Sequence, residues 1–141
     1  MYQVIMQKKL GSDTINNRDI NVLVLAYLGD NVYEYYVRRF LIEKKISNVN
    51  ELQKNAVNYV SAKNQAKFLN ALMEDNFFTE EENDIIRRAR NHKGVSHPKN
   101  CDILTYKHAT ALEALIGYLK LENRDDRIDI IMDKILGGSI C

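Results

Sequence analysis

Two carboxylates stand in unusually apolar stretches of this sequence, where they could together bind a metal ion. Asp30 lies in VLVLAYLGDNVYEYYVRRF and Glu113 lies in ATALEALIGYL. An ionised carboxylate among core-forming residues loses hydration unless a cation, hydrogen bonds or a metal ion compensates it. Magnesium prefers hard oxygen ligands, usually one or two carboxylates with waters and substrate phosphates. Bound in this way, it lowers the pKa of a water and stabilises the leaving oxygen of a phosphodiester.

Small residues beside each acid would allow two helices to approach closely and bring the carboxylates together. Glu34 follows Asp30 by one helical turn on the same face, and we interpret it as a structural or interface acid. The alternative is that Asp30 and Glu113 are structural acids held by hydrogen bonds or by salt bridges to cations, and the residues alone leave both interpretations open. The small residues are Ala26, Gly29, Ala109, Ala114 and Gly117, and the candidate cations are Arg38, Arg39 and Lys107.

A second feature is the concentration of basic residues between Arg87 and His108. That stretch holds six Lys or Arg and the single acid Asp102, although the whole chain has a net charge of +1. All three histidines of the chain fall in the same stretch. A local basic surface on a near-neutral protein is typical of phosphate-backbone recognition. The alternative is a solvated helix end followed by a polar loop.

Helical signals cover almost the whole chain, so the sequence predicts an all-α fold. Predicted helices run over about residues 20–44, 49–59, from 62, 80–91, from 103 or 106, and 125–136, the last stopped by Gly137 and Gly138. The predicted N-caps are Asp19, Ser47 or Asn48, Ser61, Thr79 in a capping box with Glu82, and Asp102 or Thr105. The segment 92–100 contains Gly94 and Pro98 and interrupts this pattern.

The first long helix is apolar on almost every side in its first half. Such a helix must be buried all round, and in a domain of this size a second subunit is expected to cover part of it. The 141 residues suit one domain. We place it at 19–137, between an N-terminal extension (1–18) and a C-terminal tail (138–141).

Composition and targeting signals favour an ordinary globular protein of the cytoplasm. Hydrophobic residues make up 45% and charged residues 28% of the chain. No signal peptide is recognisable at the start, and Asp30 and Glu34 interrupt the longest apolar stretch before it reaches membrane-spanning length. The two cysteines, Cys101 and Cys141, form neither a disulfide framework nor a zinc motif, which favours a reducing compartment.

The stretches around the two acids resemble the motifs of ribonuclease III endonuclease domains. LAYLGDNVYEYYVRRFL is similar to the signature helix of that family, and ATALEALIGYLKL is similar to its second acidic helix. Two further stretches, RRARNHKGVSHPKNCDILTYKHATALEALIGYL and VSAKNQAKFL, resemble a narrower group, the Mini-ribonuclease III proteins. These have the catalytic domain without the separate double-stranded-RNA-binding domain. The resemblance covers about residues 20–136.

This resemblance implies a dimeric, helical endoribonuclease that depends on magnesium, with manganese able to substitute. Asp30 and Glu113 match the metal-binding and catalytic acids of the family. Two further acids of the larger enzymes are replaced here by Ala26 and Thr110. The family hydrolyses double-stranded RNA as a homodimer in which each site cuts one strand. The expected substrate is the stem flanking the large-subunit (23S) ribosomal RNA precursor, and whether a large-subunit ribosomal protein assists stays open here.

Residues expected to contact RNA lie mainly in the basic segment. A duplex in A-form is recognised mostly by its shape and backbone, which suits basic and amide side chains. The residues are Arg88, Arg90, His92, Lys93, His97, Lys99 and Asn100, with Lys63 and Asn64 as weaker candidates.

Two other functions are compatible with parts of this sequence. The first is a ribonuclease III fold that has lost catalysis and acts as an RNA-binding or ribosome-associated module. The second is an all-α nucleoside triphosphate pyrophosphohydrolase, which binds magnesium through paired acids. Its acids would be Glu81 and Asp84, together with Glu122 and Asp125 or with Asp126 and Asp129.

Overall fold

The computed structural model describes residues 16–93 and 97–137, which form six α-helices and no strand. The helices are α1 (Val22–Glu43), α2 (Val49–Val60), α3 (Ala62–Glu74), α4 (Glu80–Arg90), α5 (Ile103–Leu121) and α6 (Asp125–Leu136). The predicted all-α fold is therefore confirmed. Residues 1–15, 94–96 and 138–141 lie outside the described residues, and with them most of the predicted extension, the predicted tail, and the helix-breaking Gly94 and Gly138.

Most of the predicted helix starts are confirmed, because capping is a local interaction. Asn48 caps α2, Ser61 caps α3 and Asp102 caps α5, each accepting a hydrogen bond from a backbone N–H of the first turn. Thr79 and Glu82 form the predicted capping box. The prediction of Asp19 as the first cap is wrong. Asp19 closes a short 3-10 turn, Asn17–Asp19, and the side chain of Asn21 caps α1.

Helix α5 lies at the centre of the fold, and its residues from Ala109 onward are almost all buried. Helices α1, α3 and α4 make their most extensive contacts with it. The closest approach is between α1 and α5, where Gly29 faces the backbone of Glu113 and Gly117 faces the backbone of Leu25. Two of the small residues predicted to allow this approach, Gly29 and Gly117, therefore occupy the contact.

An internal ion pair fixes α6 against the start of α4. Glu82 is 0% exposed, and the guanidinium of Arg127 donates to both of its carboxylate oxygens at 2.7 Å. The same guanidinium lies 4.5 Å from the centre of the Phe77 ring. Burial opposes ionisation of Glu82. The hydrogen bonds from Arg127 and from the backbone of Thr79 outweigh it and hold the pKa of Glu82 below its ordinary value.

One side of α1 is left uncovered by residues 16–93 and 97–137. Tyr27 is 84% exposed, and Val24 and Tyr35 are each 57% exposed. Aromatic and branched side chains on one helix face are unusual where nothing covers them. Within the described residues, no helix is long and apolar enough to cross a membrane.

Candidate metal and nucleic-acid site

The contact between α1 and α5 brings the two sequence-predicted acids together. Because Gly29 precedes Asp30 and packs on the backbone of Glu113, the helices can approach only while that position has no side chain. The Asp30 and Glu113 carboxyl groups lie within hydrogen-bonding reach of each other. Two carboxylates 83 positions apart in the sequence thus share one site.

The two acids differ in burial, and here one expectation is wrong. The apolar sequence around Asp30 implied that its charge would be withdrawn from water, but Asp30 is exposed in the chain. It lies on the same uncovered side of α1 as Tyr27, one turn away. Glu113 is the partly buried acid. The site therefore has one carboxylate held in the protein and one that faces solvent.

The electrostatics of Glu113 follow from this position. Burial, the interaction with the neighbouring Asp30 and, least, the charge of Glu34 together raise the pKa of its carboxyl to about 8. A hydrogen bond from Gln65 acts in the opposite direction by favouring the charged form. In the metal-free protein near neutral pH, Glu113 consequently retains a proton that it can share with Asp30.

Gln65 is a site residue that the sequence did not predict. It lies in the first turn of α3, is 3% exposed, and its Nε2 donates to Oε2 of Glu113 at 3.4 Å. Its neighbours Lys63 and Asn64 are among the residues predicted to contact RNA. Nothing in the local sequence AKNQAKF indicates that Gln65 faces the carboxylate of Glu113, 48 positions away.

The salt-bridge form of the structural alternative is not supported at any of its three candidate cations. Arg38 donates to Glu34 at 2.8 Å, and Arg39 pairs with Glu43 at 3.7 Å. Among the residues that the structure describes, no Lys or Arg forms an ion pair with Asp30 or Glu113. The two acids are left to share a proton or a cation from outside the chain.

The donor set fits a hard cation that completes its coordination with other oxygens. No group of three or more His, Cys, Asp or Glu within residues 16–93 and 97–137 is arranged to hold a metal. The two positions where the resemblance to larger ribonuclease III enzymes would place further acids hold Ala26 and Thr110, and both residues are buried. Magnesium commonly binds through one or two carboxylates and takes waters and substrate phosphates for the rest, whereas zinc usually takes three or four protein ligands.

The predicted RNA-contacting residues are mostly accessible. Lys63, Lys93, His97, Lys99 and Asn100 are exposed, and Asn64, Arg88, Arg90 and His92 are partly buried. Residues 92–93 and 97–100 are not helical, as predicted. Arg87, by contrast, is neutralised by an ion pair with Asp84.

Arg88 and His92 also line a shallow cleft of about 400 Å³ where the end of α4 meets the start of α1. Asn21 and Asn91 contribute amide groups to its wall. The buried Nδ1 of His92 has no hydrogen-bond partner among the described residues. The cleft combines positive charge with amide donors, a chemistry that suits a phosphate group.

The acids that a pyrophosphohydrolase would need are engaged elsewhere. Glu81 accepts a hydrogen bond from Arg124 at 2.8 Å and another from Tyr118. Asp84 pairs with both Arg18 and Arg87. These carboxylates are neutralised by side chains of the fold, which removes the basis for this alternative.

Comparisons with known proteins show the family to which the chain is similar. The model of the ribonuclease III domain family matches residues 23–124, which include both acids. The chain is 45% identical over 117 residues to Mini-ribonuclease 3 of Staphylococcus aureus, covering 83% of this chain and 87% of that protein. It is 49% identical over 114 residues to Mini-ribonuclease 3 of Brevibacillus brevis, covering 81% and 84%.

A solved structure has the same fold. The crystal structure of a protein from Fusobacterium nucleatum superimposes with a TM-score of 0.79 at 32% sequence identity. The match covers 88% of this chain and 100% of that one.

Proposed function

Since the chain belongs to the ribonuclease III domain family and is an endoribonuclease of that type, we propose that it cleaves double-stranded RNA with magnesium held by Asp30 and Glu113. Enzymes of this family act on double-stranded RNA with divalent metal ions. The observation that carries the proposal is the meeting of the two carboxylates across the Gly29–Gly117 contact with no Lys or Arg pairing with them among the described residues.

Asp30 and Glu113 contribute differently to this proposed site. Asp30 is exposed and can reach a cation that also contacts a substrate phosphate. Glu113 is held by the protein and must lose its shared proton before both carboxylates are ionised. When bound, magnesium would polarise the phosphodiester and supply a water of lowered pKa. Manganese offers the same preference for oxygen ligands and is expected to substitute.

The experiment that tests the proposal compares Asp30→Asn with the wild type on a labelled RNA duplex, with and without magnesium. Asp30→Asn should fold and bind the duplex normally, because Asp30 is exposed, and should not cut it. Glu43→Gln is the matched control: it removes an exposed acid on the same helix and should cleave like the wild type.

Cleavage by Asp30→Asn would refute the metal assignment. A wild-type protein that binds the duplex but never cuts it would support the alternative, a catalytically inactive RNA-binding or ribosome-associated module.

The basic segment is proposed to contact the RNA backbone. Exposed Lys93 and Lys99 supply charge, and the cleft at Arg88 and His92 supplies a site for one phosphate. Along α1, Asn21 lies nine residues before Asp30, a separation of roughly 14 Å at 1.5 Å per residue. A duplex phosphate in this cleft and a phosphodiester at Asp30 are therefore within the span of one RNA helix turn.

We further propose that the enzyme is a homodimer joined through the uncovered side of α1. Val24 and Tyr27 lie within two turns of Asp30, so a symmetric contact there would place two sites near each other. Analytical ultracentrifugation of Tyr27→Asp should show a monomer where the wild type sediments as a dimer. Equal sedimentation of both as monomers would contradict this part of the proposal.

The biological assignment rests on the relatives rather than on a particular residue. We propose that the substrate is the base-paired stem flanking the 23S ribosomal RNA precursor and that processing takes place in the cytoplasm, with a large-subunit ribosomal protein as a candidate helper. Incubation of the protein with the precursor stem and with an unrelated duplex of equal length tests this. Equal cleavage of both would contradict it.

A further inference from the structure

We propose that Gln65 is a positioning residue: its buried carboxamide fixes the orientation of the Glu113 carboxylate and so sets the affinity of the site for its metal ion. The inference rests on the proposed function, because it concerns the same two-carboxylate site. It adds a third helix, α3, to the elements that build that site.

The first support is the burial of an uncharged polar group where an apolar one would pack. Gln65 is 3% exposed, and it lies on the same side of α3 as the buried Ala66, Phe68 and Leu69. A buried amide without a partner costs free energy that an apolar side chain of similar size would not. The hydrogen bond to Glu113 is the interaction that offsets this cost among the described residues.

The second support is the chemistry of the donor. Gln65 supplies an N–H and no charge, so it can hold one oxygen of Glu113 without competing with a cation for the carboxylate. Carboxylates that bind metals are commonly hydrogen-bonded by neighbours that fix their orientation, and loss of such a neighbour weakens metal binding about 10–100-fold.

The third support is the way the backbone before Gln65 is held. Tyr33 follows Asp30 by three residues in α1, and its hydroxyl donates to the backbone oxygen of Tyr59 at 2.7 Å. Ser61 then caps α3 through the N–H of Asn64. The helix that carries Asp30 thereby also fixes the start of the helix that carries Gln65, so the amide is positioned before any metal arrives.

The test uses Gln65→Met, which keeps length and volume but removes the donor. Binding of Mn²⁺ to the RNA-free protein is measured by electron paramagnetic resonance, and the metal concentration for half-maximal cleavage of a duplex is measured separately. Both constants should rise by about tenfold or more. Cleavage at saturating metal and duplex affinity in Ca²⁺ should change much less. Asn70→Met, at an exposed position of the same helix, is the control and should match the wild type.

A double-mutant cycle separates orientation from general damage. In Glu113→Gln, the carboxylate that Gln65 is proposed to orient no longer exists, so adding Gln65→Met should not weaken Mn²⁺ binding further. If Gln65→Met does not fold, Gln65→Asn replaces it: the amide is retained but withdrawn by one methylene, and the same loss of metal affinity is expected.

Unchanged Mn²⁺ affinity in the folded variant, or equal losses with and without the Glu113 carboxylate, would overturn the inference. A wild-type protein that binds no Mn²⁺ would instead refute the proposed metal site itself. The two failures are therefore distinguishable in one set of measurements.

Discussion

Replacement of Gly29 by alanine should damage both the stability and the activity of the protein. A methyl group at Gly29 would lie 1.7 Å from the backbone oxygen of Glu113 and 2.9 Å from the backbone nitrogen of Gly117. An ordinary contact of this kind is 3.4–4 Å. Neither atom belongs to a side chain that can rotate away, so α1 and α5 would have to separate by roughly 1.5–2 Å to remove the overlap.

Two opposing free-energy terms decide the size of the effect. Alanine is favoured over glycine inside a helix by about 1 kcal/mol. Overpacking of a buried contact costs typically about 1–3 kcal/mol, and a clash with backbone atoms of α5, which cannot rotate away, belongs at or above the upper end of that range. The net expectation is a loss of about 2 kcal/mol in the free energy of unfolding. Because Glu113 itself carries the clashing oxygen, its carboxylate should also move relative to Asp30, and a displacement of about 1 Å can reduce activity roughly 100-fold.

Urea unfolding followed by circular dichroism in EDTA measures the first effect, and duplex cleavage at saturating magnesium measures the second. Asn31→Ala is the matched control, because Asn31 is exposed on the same helix and its replacement changes helix propensity without altering the contact with α5. Gly117→Ala should resemble Gly29→Ala, since its methyl would lie 1.9 Å from the backbone oxygen of Leu25. The double variant should lose less than the sum of the two, because one separation of the helices relieves both clashes. Wild-type stability and cleavage in Gly29→Ala would refute the close contact on which the site depends.

Three further predictions concern other parts of the molecule. Burial and the neighbouring Asp30 raise the pKa of Glu113 from 4.5 to about 8, so the metal-free folded protein retains a proton that the unfolded chain releases. The free energy of unfolding should therefore fall by about 2–4 kcal/mol as the pH rises from 4.5 to 8. Urea unfolding in EDTA measures this fall, and Glu113→Gln should remove most of it. Arg127→Met should reduce the free energy of unfolding by about 3–5 kcal/mol, because it leaves the fully buried Glu82 carboxylate without its cation. Calorimetry measures the loss of stability. A change below about 1 kcal/mol would contradict a stabilising role for the ion pair. Replacement of both Lys93 and Lys99 by alanine should weaken duplex binding and reduce the slope of log affinity against log salt concentration by roughly one to two. Fluorescence anisotropy in Ca²⁺ at several salt concentrations measures this slope. An unchanged slope would mean that these lysines are merely solvated.

The helices of this fold could be predicted because their signals are local. Thr79 and Glu82 are three residues apart, and Asp102 directly precedes the helix that it caps. The one N-cap predicted wrongly is Asp19, because a second capping residue, Asn21, follows it two positions later. Both residue types cap helices well, and only the 3-10 turn that takes up Asp19 decides between them.

The pairing of the two acids could also be predicted, but their burial could not. Small residues beside each acid indicated where two helices can touch, and Gly29 and Gly117 do face each other's backbones. Composition does not say which side of an apolar helix faces the core. Asp30 therefore looked buried in the sequence and is exposed in the chain. The role of Gln65 could not be predicted either, because the packing of α3 against α5, rather than any local pattern, brings it to Glu113.

The replacement of two family acids by Ala26 and Thr110 fits the electrostatics of the remaining pair. Both positions are buried near the α1–α5 contact, where an added ionised carboxylate would repel Asp30 and Glu113 and lose hydration as well. With only two acids, a single proton on Glu113 removes the repulsion in the metal-free state, and Gln65 contributes a hydrogen bond without adding charge. A metal that binds both carboxylates must displace this proton, so proton and metal compete for the same carboxyl group. The affinity for metal should therefore rise with pH until Glu113 is ionised, near pH 8, and Gln65 should lower the pH at which that happens.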